Sequence, residues 1–142
     1  MADNLTPEER RRAMAAVKSH HTAPERRVRS ALHRLGYRFR LHDAKLPGRP
    51  DLVLPGRRLV IFVHGCYWHG HRCRRGARMP KTNVEYWQTK IAGNVARDRR
   101  RKRELKQLGW RVLVIWECRI GRTDFESWLA RRMPPLAKKS RP

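Results

Sequence analysis

Residues 48–73 read "GRPDLVLPGRRLVIFVHGCYWHGHRC". Two short apolar runs, Leu52 to Leu54 and Leu59 to Val63, flank "PGRR", and such runs around a Pro-Gly turn signal predict a β-hairpin. Asp51 falls at the start of its first strand. The second strand runs into His64 to Cys73, which holds three of the seven histidines, two of the three cysteines and the adjacent aromatics Tyr67 and Trp68.

Helical patterns surround this hairpin. In "APERRVRSALHRLGYRFR", from Ala23, Val28, Leu32 and Leu35 recur at helical spacing, Pro24 and Glu25 suit a first turn and Gly36 suits the stop. After a basic loop from Arg74 to Pro80, Thr82 and Glu85 form a candidate capping box. It opens a long helix to about Gln107, with Trp87, Ile91 and Val95 on one stripe and "RDRRRKRELK" in solvent. "WRVLVIWE", Trp110 to Glu117, has the continuous apolarity of a strand buried on both faces. Cys118 follows it. A second capping box, Thr123 to Glu126, begins a closing helix. The order helix, hairpin, helix, strand, helix predicts an α/β or α+β domain with a mixed sheet.

A chain of 142 residues suits one domain. We expect an arm or peripheral helix over 1–22, around "EERRRAMAAVKS", a domain over 23–135 and a basic tail over 136–142. The 35 Lys and Arg against 12 Asp and Glu leave a formal charge of +23 spread along the chain, which points to a polyanionic partner, nucleic acid first. No segment approaches the roughly 20 apolar residues of a spanning helix. "MADNLTPEER" lacks a secretory pattern, and an odd number of cysteines favours metal ligation in a reducing compartment, so the cytoplasm is expected.

The cluster divides by chemistry. Cys66, His71 and Cys73 are close enough in sequence to share a tetrahedral zinc site, and Cys118 is the remaining thiol to complete it. The spacing is not that of a standard zinc finger, and a lone cysteine is often a small buried apolar residue. His64 and His69 are then left to shuttle a proton or to donate to a phosphate. Asp51 suits Mg2+, which prefers oxygen ligands, and Glu25 could add a second carboxylate through water; it reads equally as a favourable charge at a helix N-terminus. Tyr67 and Trp68 cannot both point inward from an extended segment, so at least one is expected to be exposed or inserted into a partner. Trp87 could join them, or pack in the core with its stripe.

Taken together, "GRPDLVL", "VIFVHGCYWHGHRC", "RMPKTNVEYWQTKIAGNVARD" and "GWRVLVIWEC" closely resemble the very short patch repair (Vsr) mismatch endonucleases, and the resemblance extends from "RRRAMAAVKSHHTAPE" to the closing helix. It implies a single restriction-endonuclease-like domain of the PD-(D/E)xK superfamily, with a central mixed sheet flanked by helices and a structural zinc site. The implied reaction is a Mg2+-dependent nick of double-stranded DNA, 5′ to the mispaired T of a T:G mismatch left by 5-methylcytosine deamination. Asp51 would bind Mg2+, expected as two ions, with the main-chain carbonyl of Val63, where the familiar member has a threonine. His69 would activate the attacking water, His64 would assist near the phosphate and Glu25 would hold metal-bound water. Cys66, His71, Cys73 and Cys118 match the ligands of one zinc ion. Tyr67, Trp68 and Trp87 match aromatics that wedge beside the mismatch, with Tyr67 where phenylalanine is usual; Lys90, Asn94 and Arg97 look like further DNA contacts. The resemblance also implies a monomer that associates with the nucleoid when acting, and mismatch-repair proteins are possible partners. The rival readings are a zinc-containing DNA-binding protein without catalysis, which leaves Asp51, Glu25 and two histidines idle, a nuclease that cuts both strands of matched DNA, and an RNA-binding protein, which follows only from charge.

Overall fold

A computed structural model describes residues 6–8, 22–73 and 82–135. The expectations for most of the arm, for the basic loop from Arg74 and for the tail over 136–142 lie outside the described residues.

Helix α1 spans Ala23–Arg34, with Pro24 in its first turn and the Thr22 side chain accepting from the Glu25 N–H at 3.3 Å. Strands β1 (Arg40–Leu41), β2 (Leu52–Leu54) and β3 (Leu59–His64) follow, and a 3-10 turn over Pro55–Arg57 closes the predicted hairpin. Helix α2, Val84–Gln107, crosses to β4, Arg111–Trp116; short helix α3, Glu117–Ile120, and α4, Phe125–Arg132, complete the described chain. The sheet order is β1-β2-β3-β4, antiparallel except for the β3–β4 ladder, whose parallel pairing requires a crossover such as α2. The molecule is therefore an α/β domain with a mixed sheet and flanking helices. No helix of the described residues is long and apolar enough to cross a membrane.

Strand alternation sends successive residues to opposite faces. Leu52, Leu54, Leu59, Ile61 and Ile115 join Val28, Leu32, Phe125 and Leu129 in the main core beneath α1, α3 and α4. Val53 and Val60 go the other way, meeting Leu105 of α2.

Four local expectations are corrected. β4 is not buried on both faces: Ile115 is its buried residue, whereas Val112, Val114 and Trp116 line an open cleft between the sheet and α2. Its apolar run serves a core on one side and a cavity wall on the other. The cap of α2 is Asn83, in a left-handed conformation at φ 57, one residue beyond Thr82 and without a side-chain capping bond. The cap of α4 is Asp124, again one residue beyond the expected Thr123. Finally, the segment over 65–73 is coiled rather than extended, and it holds Tyr67 and Trp68 both half-buried. Its turns are closed by the His69, Gly70 and His71 N–H groups, donating to Gly65, Tyr67 and Cys66 carbonyls at 3.0–3.3 Å.

Candidate functional site

The cleft has a volume of about 1080 Å³ and lies at the C-terminal end of the β3–β4 ladder. Asp51, Val63, His64, His69 and Asp98 all line it, beneath a rim that includes Lys45, Arg49, Arg97 and Lys102. This setting combines buried chemistry with a surface attractive to phosphates.

On one wall, Asp51 sits just before β2 and accepts a hydrogen bond from the Val63 N–H at 2.6 Å. Burial, reinforced by the nearby Glu25 carboxylate, outweighs that bond and raises the Asp51 carboxyl to about 6. Glu25 is only 2% exposed. Burial raises it too, but hydrogen bonds from His42 and Arg29 prevail and hold it below the usual carboxylate range. One ligand atom from each of Glu25, His42 and Asp51 lies within 4.8 Å of the others. A buried and a half-buried carboxylate at such a separation repel each other when both are charged and favour a cation between them, so the donor set fits a divalent ion.

In the same cleft, His69 Nδ1 lies 2.6 Å from Asp98 Oδ2. A carboxylate on Nδ1 fixes the ring and leaves Nε2 as the working nitrogen. His64 stacks on His69 with ring centroids 3.8 Å apart, and its Nε2 is 3.8 Å from the same carboxylate. Burial, then the adjacent His69, depress His64 to about 3, so it is neutral at physiological pH.

Behind the histidines, the ligand atoms of Cys66, His71, Cys73 and Cys118 fall within 4.8 Å of one another. Cys118 Sγ lies 3.6 Å from His71 Nδ1, and the Cys118 N–H donates to Cys66 Sγ at 3.4 Å. A tetrahedral ion with ligand bonds near 2.3 Å sets its sulfurs roughly 3.8 Å apart, so four such groups fit one metal. Without one, burial pushes the Cys66 thiol up to about 12, a cost that a coordinated cation removes. Trp116 stands between the two groups, stacked on His71 at 4.2 Å and edge-on to His64 at 5.3 Å.

The coil bearing these residues is pinned to α2. Asn94 Nδ2 donates to the Trp68 carbonyl at 2.7 Å, and Arg97 donates to Asn94 at 3.2 Å. Gly70 has φ 66, and a Cβ there would meet Val95 Cγ2 at 2.7 Å, so the coil can approach the helix this closely only with glycine. Tyr67, Trp68 and Trp87 form an aromatic group with centroids 5.0–6.2 Å apart; Trp87 is 7% exposed and sits under the other two. Lys90 is exposed on the same helix.

Thus Asp51, Val63, His64 and His69 share the cleft, and Glu25 reaches its Asp51 wall. The four zinc candidates share one cluster. Two participants escaped the sequence reading. Asp98 continues the Trp87, Ile91, Asn94 stripe but lies in a run of arginines that reads as solvated surface. His42 carried no signal beyond being a histidine.

Residues 2–75 match the family described as DNA mismatch endonuclease Vsr. A protein named type II nicking enzyme V.XorIIP, from Xanthomonas oryzae pv. oryzae, is 56% identical over 121 residues, 85% of this chain and 88% of the relative. DNA mismatch endonuclease Vsr of Escherichia coli is 48% identical over 120 residues, 84% of this chain and 76% of that protein. Type II nicking enzyme V.NmeAIP of Neisseria meningitidis is 40% identical over 120 residues, covering 84% and 85%.

Proposed function

Because the chain belongs to the Vsr family of DNA mismatch endonucleases, we propose that it nicks double-stranded DNA 5′ to the mispaired T of a T:G mismatch. Such a mismatch follows 5-methylcytosine deamination, and the nick would initiate very short patch repair. Membership makes it a DNA endonuclease and sets aside a DNA-binding protein without catalysis. The observation that carries the finer reading is the meeting in one cleft of a half-buried acid, Asp51, and of His69 held by Asp98.

In this reading the domain over 23–135 is restriction-endonuclease-like. Asp51 and the Val63 carbonyl hold Mg2+, as two ions, and Glu25 acts through water. Bound Mg2+ supplies charge for the attacking and departing oxygens of an in-line displacement. His69 takes a proton from the attacking water through the nitrogen that Asp98 leaves free, and neutral His64 donates a hydrogen bond toward the phosphate. Cys66, His71, Cys73 and Cys118 hold one structural zinc ion behind them.

Tyr67 and Trp68 enter the stack beside the mismatch, where unstacking costs least, and Trp87 supports them from below. Lys90, Asn94 and Arg97 reach the DNA from one helix face, and the basic arm over 1–22 contacts it as well. The protein acts as a monomer, with mismatch-repair proteins as further partners.

The test is strand-specific nicking of two labelled duplexes that differ only in T:G against C:G, with and without Mg2+, by the wild type and Asp51→Ala. A Mg2+-dependent nick confined to the T strand of the mismatched duplex, reduced by a thousandfold or more in the variant, is the expected result. Cleavage of both strands of the matched duplex would instead make it a restriction-type nuclease.

A further inference from the structure

The two-residue strand β1 leads into His42, which the proposed reaction does not use. Pairing of Leu41 with Leu52 brings the next residue opposite Asp51, and the His42 N–H donates to the Asp51 carbonyl at 3.2 Å. His42 has φ 47, a left-handed conformation uncommon for residues with a Cβ. Backbone strain of this kind persists where surrounding structure holds it and gathers at functional sites.

The imidazole is 9% exposed and lines the cleft, with Nε2 3.0 Å from Glu25 Oε2. Arg29 pairs with that same oxygen, so the carboxylate is fixed from two sides. A ligating histidine commonly has one ring nitrogen on a carboxylate, which orients the other toward the metal. Glu25 provides that carboxylate at Nε2, and one ligand atom from each of Glu25, His42 and Asp51 lies within 4.8 Å of the others.

We propose that His42 is a nitrogen donor to the cation held by Asp51, with Glu25 orienting its ring, and that this mixed site prefers Mn2+ to Mg2+. The inference rests on Asp51 being the metal-binding acid. Mg2+ favours oxygen ligands and gains little from imidazole, whereas first-row transition metals accept nitrogen readily.

The experiment uses full-length, zinc-replete protein with Mn2+ as the probe. Electron paramagnetic resonance measures affinity, Mg2+ competition gives the preference, and spin-echo modulation detects 14N bonded to the bound ion. The expected result is a 14N signal that survives His69→Ala but is lost in His42→Gln. The glutamine variant should weaken Mn2+ at least about tenfold and Mg2+ much less. Should it fail to fold, His42→Asn, which tolerates positive φ, carries the same comparison. Bound Mn2+ without nitrogen coupling, or coupling lost in His69→Ala and kept in the His42 variants, would overturn the assignment, the second result moving the ion to the His64, His69 and Asp98 group. Equal Mn2+ binding by wild type and Asp51→Ala would remove the Asp51 reading beneath it, a result separable from failure at His42 alone.

Discussion

The two faces of the β3–β4 ladder share a backbone and differ in what their side chains meet. Leu59, Ile61 and Ile115 on one face are closed off by α1, α3 and α4. On the other, Leu105 of α2 covers Val60, but toward the C-terminal end Phe62, His64, Val114 and Trp116 face an open cleft. One step along β3, from Val63 to His64, passes from core packing to the cleft. A completed face thus supplies the rigidity on which an incomplete face can hold reacting groups at fixed distances.

That division can be broken at either face. Ile61→Ala, on the closed face, should cost about 2–5 kcal/mol of folding free energy through lost burial and the cavity left behind. Chemical denaturation would record it, while nicking per folded molecule at low temperature should stay near wild type. A comparable loss of turnover would mean the two faces are not separable.

Asp98→Asn, on the open face, should slow nicking by roughly ten- to a hundredfold, because the amide no longer fixes His69 as a carboxylate does. Its denaturation midpoint should stay near wild type. Unchanged turnover would leave the His69–Asp98 contact structural.

The smallest effect sharpens the contrast by sign. With no divalent cation in the cleft, the Asp51 carboxyl titrates at about 6 in the folded protein against 3.8 ordinarily, so the folded state binds the extra proton between these values. This contribution makes stability fall as pH rises through that window. Asp51→Asn removes it, so the variant should be more stable than wild type above about pH 6, on the order of 1–2 kcal/mol, and the gap should close toward about pH 4. Coincident melting curves at about pH 8 would show that the acid carries no folding cost.

Long patterned segments of this architecture were legible in sequence. Val28, Leu32 and Leu35 mark α1, the apolar runs about "PGRR" mark the hairpin, and the density of Cys and His marks the group of Cys66, His71, Cys73 and Cys118. What escaped depended on tertiary pairing. Strand β1 is two exposed residues, too short for alternation to show, yet it alone brings His42 to Asp51. Asp98 was masked by arginines because sequence does not say which turn of a long basic helix meets the His69 coil. The capping residues were misplaced by one position because a threonine and a glutamate at the right spacing do not determine where the backbone enters the helix.

Cys66 and Cys118 lie 52 residues apart. An ion shared by their sulfurs would tie the chain into a ring that includes all of α2. By chain-entropy reasoning such a closure removes about 4 kcal/mol of freedom from the unfolded ensemble. His69 and Asp98, themselves separated by 29 residues, both lie inside that ring. Metal capture would therefore shorten the search by which they meet, so that refolding with the metal chelated should be slower at assembling the cleft than at collapsing the core.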